Sequence, residues 1–236
     1  SVRQKDALNL FKKFEFSQEQ FNELKNYADR AGVMFFSTPF DPGSAKFLDT
    51  LVPAFKIASG DNNYWALMES VADTGKPIIL STGMADFQSI CKAKEFIESR
   101  WRSQGISQNL VILHCVSLYP TPPDLANLLT IPYLADKLGG IIGFSDHTVG
   151  IEAAALAVGL GARVIEKHFT FDKNYSDFPD HAISMDPKDL VQLVQKVKSV
   201  RSMLGSYDVV LEEQQSEVAK GSRRSIVARS NLSAFP

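Results

Sequence analysis

Short apolar runs alternate along this chain with longer stretches whose apolar positions recur every three to four residues. The runs cover residues 33–36, 54–58, 77–80, 110–113, 140–142 and 164–165. They are too short for helices and too continuously apolar for a sheet wet on one face, so they predict about six buried parallel strands. The stretches between them are long enough for right-handed helical crossovers. Their punctuation agrees. Ser17-Gln18-Glu19-Gln20 is a capping box, followed by Phe21, Leu24, Ala28 and Ala31 at helical spacing and a stop at Gly32. Asp86 can cap a helix with Phe87, Ile90, Phe96 and Ile97 inward. Asp186-Pro187 opens a helix carrying Leu190, Leu193, Val194, Val197 and Leu204 and closed by Gly205. Residues 1–4 enter a polar helical segment, and residues 222–225 are a basic linker or loop.

Polarity is not spread evenly over this frame. Each run ends on its C-terminal side in Ser, Thr, Lys, Asp or His, where parallel α/β folds bind ligands. Two ends stand out, Gly143-Phe144-Ser145-Asp146-His147 and Glu166-Lys167-His168-Phe169-Thr170. Alternation along a strand puts Ser145 with His147, and Glu166 with His168. If the two strands are parallel neighbours, two imidazoles meet at one end of the sheet, a plausible divalent-metal site. A histidine at one strand end is commonly only a hydrogen-bonded residue, and His114 and His181 read that way. Lys56, inside an apolar run, needs an anion or a carboxylate partner if it is buried. Thr38, Ser59, Ser81, Gly83, Ser117 and Ser145 would ring it with hydroxyls and backbone N–H groups, a cradle for phosphate or carboxylate. Strand parity separates Lys56 from Ser59, so this cradle requires a bend near Gly60. Asp61, Tyr119 and Asp180 lie in the loops beyond and are candidates for sugar hydroxyls or an amide.

Composition removes other classes of function. The 236 residues are 44% hydrophobic, enough for one large domain. With 25 basic against 27 acidic residues there is no basic stripe for nucleic acid, and no apolar run is long enough to cross a bilayer. Cys91 and Cys115 have no metal-ligand spacing, which fits a reduced, cytoplasmic setting.

The ordered motifs resemble one family. Phe36-Ser37-Thr38-Pro39-Phe40, Lys56-Ile57-Ala58-Ser59-Gly60-Asp61, Ile79-Leu80-Ser81-Thr82-Gly83-Met84, His114-Cys115 with Tyr119-Pro120-Thr121-Pro122, and the two histidine motifs follow one another as in sialic acid synthases. The likeness runs from about Phe16 to Arg224. It implies an α/β fold, a TIM-type (β/α)8 barrel whose first two β/α units are not in this chain. Residues 1–221 would be the barrel, and residues 222–236 a linker towards an antifreeze-like domain. It implies condensation of phosphoenolpyruvate with an N-acylated amino sugar such as N-acetylmannosamine, with phosphate release, using Mn²⁺ or Mg²⁺. The full-length family members form homodimers. By motif match His147 and His168 would be the metal ligands. Lys56, Thr38, Ser59, Ser81, Ser117 and Ser145 would hold phosphoenolpyruvate, and Asp61, Tyr119 and Asp180 would face the sugar. Asp61 stands where many members have glutamate, and Ser117 where some have asparagine. Without the two opening units, the chain alone is expected not to turn over. Two other readings of the residues stay open: a barrel aldolase or lyase with Lys56 as Schiff-base nucleophile, and a barrel remnant that binds a sugar without catalysis.

Overall fold

The computed structural model describes Lys12, residues 14–176 and residues 178–233. The polar segment expected at residues 1–4 lies outside them. The chain divides into two compact units, Ser1–Met203 and Leu204–Pro236.

In the first unit five strands alternate with helices: β1 (Phe55–Ile57), β2 (Ile78–Ser81), β3 (Leu110–Cys115), β4 (Ile141–Asp146) and β5 (Ile165–Lys167). Every neighbouring pair is parallel, and the order in the sheet is the order in the chain. No reversal of direction occurs, unlike the doubly wound α/β folds. The sheet also rolls. Laid flat, β1 and β5 would stand about 19 Å apart at the usual strand spacing. Yet Lys56 Nζ on β1 lies 3.5 Å from Glu166 Oε1 on β5. Side chains on the concave face therefore converge, as inside a barrel.

Sequence explains most of the elements. α1 (Gln18–Ala31) begins at the capping box, with Gln20 N donating to Ser17 Oγ and Ser17 N to Gln20 Oε1, and ends at Gly32 with φ 71°. α2 (Pro42–Leu48) is capped by Asp41, whose carboxylate accepts from Ser44 N. α3 (Trp65–Ala72) buries Leu67, Met68, Val71 and Ala72. α4 (Phe87–Ser103) starts at Asp86 and buries Ile90, Ala93, Ile97 and Trp101, with Trp101 Nε1 donating to Ala72 O of α3. α5 (Thr130–Leu138) carries Pro132 in its first turn, where the missing N–H costs nothing. α6 (Glu152–Gly159) joins the two histidine-bearing strands, and α7 (Pro179–Ile183) and α8 (Pro187–Leu204) follow β5. β3 is buried at all six positions, as the central strand should be. Gly143 lets β5 approach β4: a Cβ there would stand 2.5 Å from Val164 O.

The structure corrects the strand count. Five strands, not six, form ladders among the described residues. Residues 33–36 are irregular, and β1 pairs only with β2. Met34 is 75% exposed, while Phe35 still packs on the core. An apolar run becomes a strand only where a neighbouring edge takes up its N–H and C=O groups, and none does so here. Two helix faces are also wetter than expected. Of the residues predicted to point inward from α1 and α8, only Ala28 and Leu193 are buried, with Phe21 and Val197 packed beside the core.

The second unit contains α9 (Glu213–Ser222), none of whose residues is buried. The 221/222 boundary expected from the sequence lies before the last residue of this helix, and the compact units part between Met203 and Leu204. No helix among the described residues is long and apolar enough to cross a membrane.

Candidate active site

The C-terminal ends of the strands surround a cleft of about 580 Å³ on the concave side. Of the residues singled out in the sequence, Thr38, Lys56, Ser59, Ser81, Ser117, Tyr119, Ser145, His147 and His168 all line it. Asp61 does not. It sits in a 3₁₀ turn (Ser59–Asp61) with its carboxyl raised above the ordinary range by burial. Asp180 is also off the cleft lining but reaches the site through His168, its Oδ1 3.5 Å from His168 Nδ1.

The cradle forms around that turn. The chain leaves β1 straight into it, which supplies the bend required near Gly60 and brings Ser59 to the same side as Lys56. Gly83 N donates to Ser59 Oγ at 3.0 Å, and Asn62 Nδ2 donates to Gly83 O at 3.0 Å. A Cβ on Gly83 would stand 2.7 Å from Ser59 Oγ and closer still to Ser117 Oγ. A larger residue there must push the two serine side chains aside. Ser81 Oγ is buried and has no hydrogen-bond partner among the described residues. A buried hydroxyl left without a partner costs about 1–3 kcal/mol, so Ser81 has a hydrogen bond to gain from whatever polar group reaches it.

Lys56 finds the carboxylate partner its burial demanded. Besides Glu166, it donates to Ile57 O at 3.2 Å, and its side chain is 11% exposed. Glu166 Oε1 accepts from Ser145 Oγ at 2.7 Å. Glu166 was not among the site residues expected from sequence, although two signals pointed to it: strand parity with His168 and the unmet need of Lys56. A Schiff-base lysine is activated by an apolar pocket or a second cation; Lys56 has a carboxylate beside it instead.

The two imidazoles do meet. The His147 and His168 rings are 5.3 Å apart between centroids and tilted by 57°. Tyr119 stacks on His147 at 4.1 Å and meets His168 edge-on at 5.7 Å. His147 Nδ1 lies 2.9 Å from Val116 O. A carbonyl only accepts, so Nδ1 carries the hydrogen, and in the neutral ring the lone pair is on Nε2. Burial pulls the His147 pKa down, but hydrogen bonds to Cys115 and Val116 O outweigh it and leave it raised. His168 is lowered, chiefly by burial. The Cys115 thiol, which burial alone would raise, is lowered by its contacts with His147 and Ser59. Burial, with the negative neighbours Cys115, Asp180 and Glu166, raises the Tyr119 phenol.

Among the described residues no cluster of three or more His, Cys, Asp or Glu side chains could cage a metal. The histidine pair offers two nitrogen donors, fewer than the three or four protein ligands of the usual zinc sites. His114 and His181 do structural work. His114 is buried with Nε2 2.8 Å from Ala126 O, and His181 Nδ1 is 2.9 Å from Thr170 Oγ1.

A rolled parallel α/β sheet whose C-terminal mouth carries a lysine, a ring of hydroxyls and a histidine pair defines a class: barrel-type α/β proteins with a polar cleft at the C-terminal ends of their strands. Comparison narrows it, for residues 1–208 match the NeuB family, and the chain belongs to that family. It is 45% identical over 234 residues to an uncharacterised protein of Methanocaldococcus jannaschii, covering 98% of this chain and 67% of that one. It is 38% identical over 224 residues to the N,N'-diacetyllegionaminic acid synthase of Legionella pneumophila, covering 94% of this chain and 62% of that one. The crystal structure of N-acetylneuraminic acid (sialic acid) synthetase from Leptospira borgpetersenii, in complex with citrate, superposes with a TM-score of 0.85 at 36% identity, over 94% of this chain and 76% of that one. The chain thus spans about two thirds or less of the length of these two curated relatives.

Proposed function

We propose that the cleft binds phosphoenolpyruvate and an N-acylated amino sugar, and that this chain carries most of the site at which a nonulosonate synthase joins them with release of phosphate. One observation supports this above the others. Lys56, Ser81 with its unpaired hydroxyl, and the Ser59 and Ser117 pair sit in the same cleft as the two imidazoles. Anion and metal would therefore be held side by side. The relatives' names point the same way.

His147 and His168 would hold Mn²⁺ or Mg²⁺, which when bound supplies Lewis acidity towards a carbonyl oxygen. Lys56 orients the anion and offsets its charge, and Ser59, Ser81 and Ser117 fix its oxygens. Glu166 holds Lys56 and Ser145 in place. Tyr119, stacked on His147, gives the sugar a wall, and Asp180 orients His168 from behind. In the reaction the enol carbon of phosphoenolpyruvate bonds to the aldehyde carbon of the open-chain sugar. The aldehyde oxygen takes up a proton, water adds to the cationic carbon left behind and gives one up, and phosphate departs by C–O cleavage.

Binding is the property to test on this chain. Calorimetric titration with phosphoenolpyruvate should show one saturable site. Lys56→Met should weaken it at least about tenfold, the loss expected for one charge-assisted contact. Absence of binding to the folded protein would overturn the reading. A panel of N-acylated hexosamines, added with phosphoenolpyruvate and Mn²⁺ and scored for phosphate release, would then identify the sugar.

A further inference from the structure

Behind the histidine pair lies a second charged pair that the chemistry above does not use. Lys167 Nζ is 2.8 Å from Asp146 Oδ2 and 2.8 Å from Thr148 O. Asp146 Oδ1 accepts from Thr148 N at 2.8 Å. The two side chains are 1% and 0% exposed. Asp146 and Lys167 are register partners on β4 and β5, one position beyond the Ser145 and Glu166 partners. Ser145 and Glu166 face the cleft, and alternation returns His147 and His168 to it; Asp146 is off the cleft lining, and Lys167, although at the cleft wall, keeps its side chain 1% exposed. Each charged residue thus immediately precedes one histidine.

We infer that the buried Asp146–Lys167 pair is the positioning device for the imidazoles: it locks the ends of β4 and β5 in register and so fixes how far apart His147 and His168 stand. The ladder alone does not do this, because β5 ends at Lys167 and the histidines lie beyond the paired residues. The pair ties both strand ends, and through Thr148 the backbone just after His147, into one unit. A buried pair is a poor source of stability, since well-packed apolar residues can replace it at little cost, but it specifies one geometry. The value of this device to catalysis rests on the metal-and-anion reading above; the geometry does not.

Two measurements separate these claims. The double variant Asp146→Leu/Lys167→Met removes both charges together. In histidine- and tyrosine-labelled protein, nuclear Overhauser effects among the His147, His168 and Tyr119 rings report the spacing without any metal. Mn²⁺ binding, followed by electron paramagnetic resonance, reports its use. The expected result is a folded double variant in which the inter-ring Overhauser effects disappear and Mn²⁺ binds at least about tenfold more weakly. A folded variant that keeps the wild-type inter-ring effects overturns the positioning role, whatever the metal does. If the wild-type protein binds no Mn²⁺, the metal reading fails, and the inter-ring effects still decide the positioning role. Should the double variant not fold, Lys167→Gln, which keeps a donor but removes the charge, takes its place with the same readouts. Lys167→Arg, which keeps the charge, should retain part of the inter-ring effects.

Discussion

At the scale of single residues, the site depends on positions with little room for a larger group. Gly83 is one, because the space a Cβ would occupy belongs to Ser59 and Ser117. In Gly83→Ala the two serines must move apart. We expect a folded protein, destabilised by about 1–3 kcal/mol as in other overpacked sites, with phosphoenolpyruvate binding abolished on calorimetry. Unchanged affinity would mean that the serine pair does not touch the anion. His114 is a residue of another kind. Burial lowers its pKa below the ordinary 6.5, against the opposing hydrogen bond to Ala126 O, so the fold holds it neutral. As pH falls through 6.5 the unfolded chain takes up a proton at this ring that the folded chain does not. Stability is then lost with acidification until the folded value is passed. Urea midpoints between pH 7 and pH 5.5 should therefore fall less steeply in His114→Phe than in the wild type. The variant should also carry a pH-independent loss of about 1 kcal/mol for the missing hydrogen bond.

At the scale of elements, local chemistry and packing can be separated. Asp86 caps α4 through Ser89 N, at 2.8 Å, while Ile97 is buried in the middle of the same helix. Asp86→Ala should cost about 1 kcal/mol, and Ile97→Ala about 2–5 kcal/mol through the cavity it leaves. Denaturant midpoints of the two variants check the ranking, and an equal loss would show that α4 is held by its cap rather than its face. This contrast also governs what could be read from the sequence. Caps and stops at Ser17, Gly32 and Asp86 were legible because their chemistry acts within four residues. So were β1 to β5, and with them the meeting of His147 and His168, because adjacency of consecutive parallel strands follows from the crossovers between them. The irregular path of residues 33–36 was not legible, because a strand is completed by a partner that its own composition does not name. The Lys56–Glu166 contact was half legible: the need for a partner was visible, but the curl that brings β5 round to β1 was not.

At the scale of the whole molecule, that curl is what makes a site. His147 and His168 are twenty-one residues apart in the chain and become neighbours only when β4, α6 and β5 are in place. A divalent ion that uses both imidazoles must therefore bind the folded chain far better than the unfolded one, and so must stabilise it by mass action. At a hundred times its dissociation constant the gain is about 2.7 kcal/mol, which for a chain of this size raises the melting temperature by about 5–10 °C. Mn²⁺ should produce this rise in the wild type and EDTA should reverse it. His147→Ala and His168→Ala should each melt at one temperature with or without the ion, because one imidazole at a strand end holds a divalent metal weakly. If either single variant keeps the full Mn²⁺-dependent rise, the ion binds elsewhere, and the convergence of the two strand ends serves the fold rather than the metal.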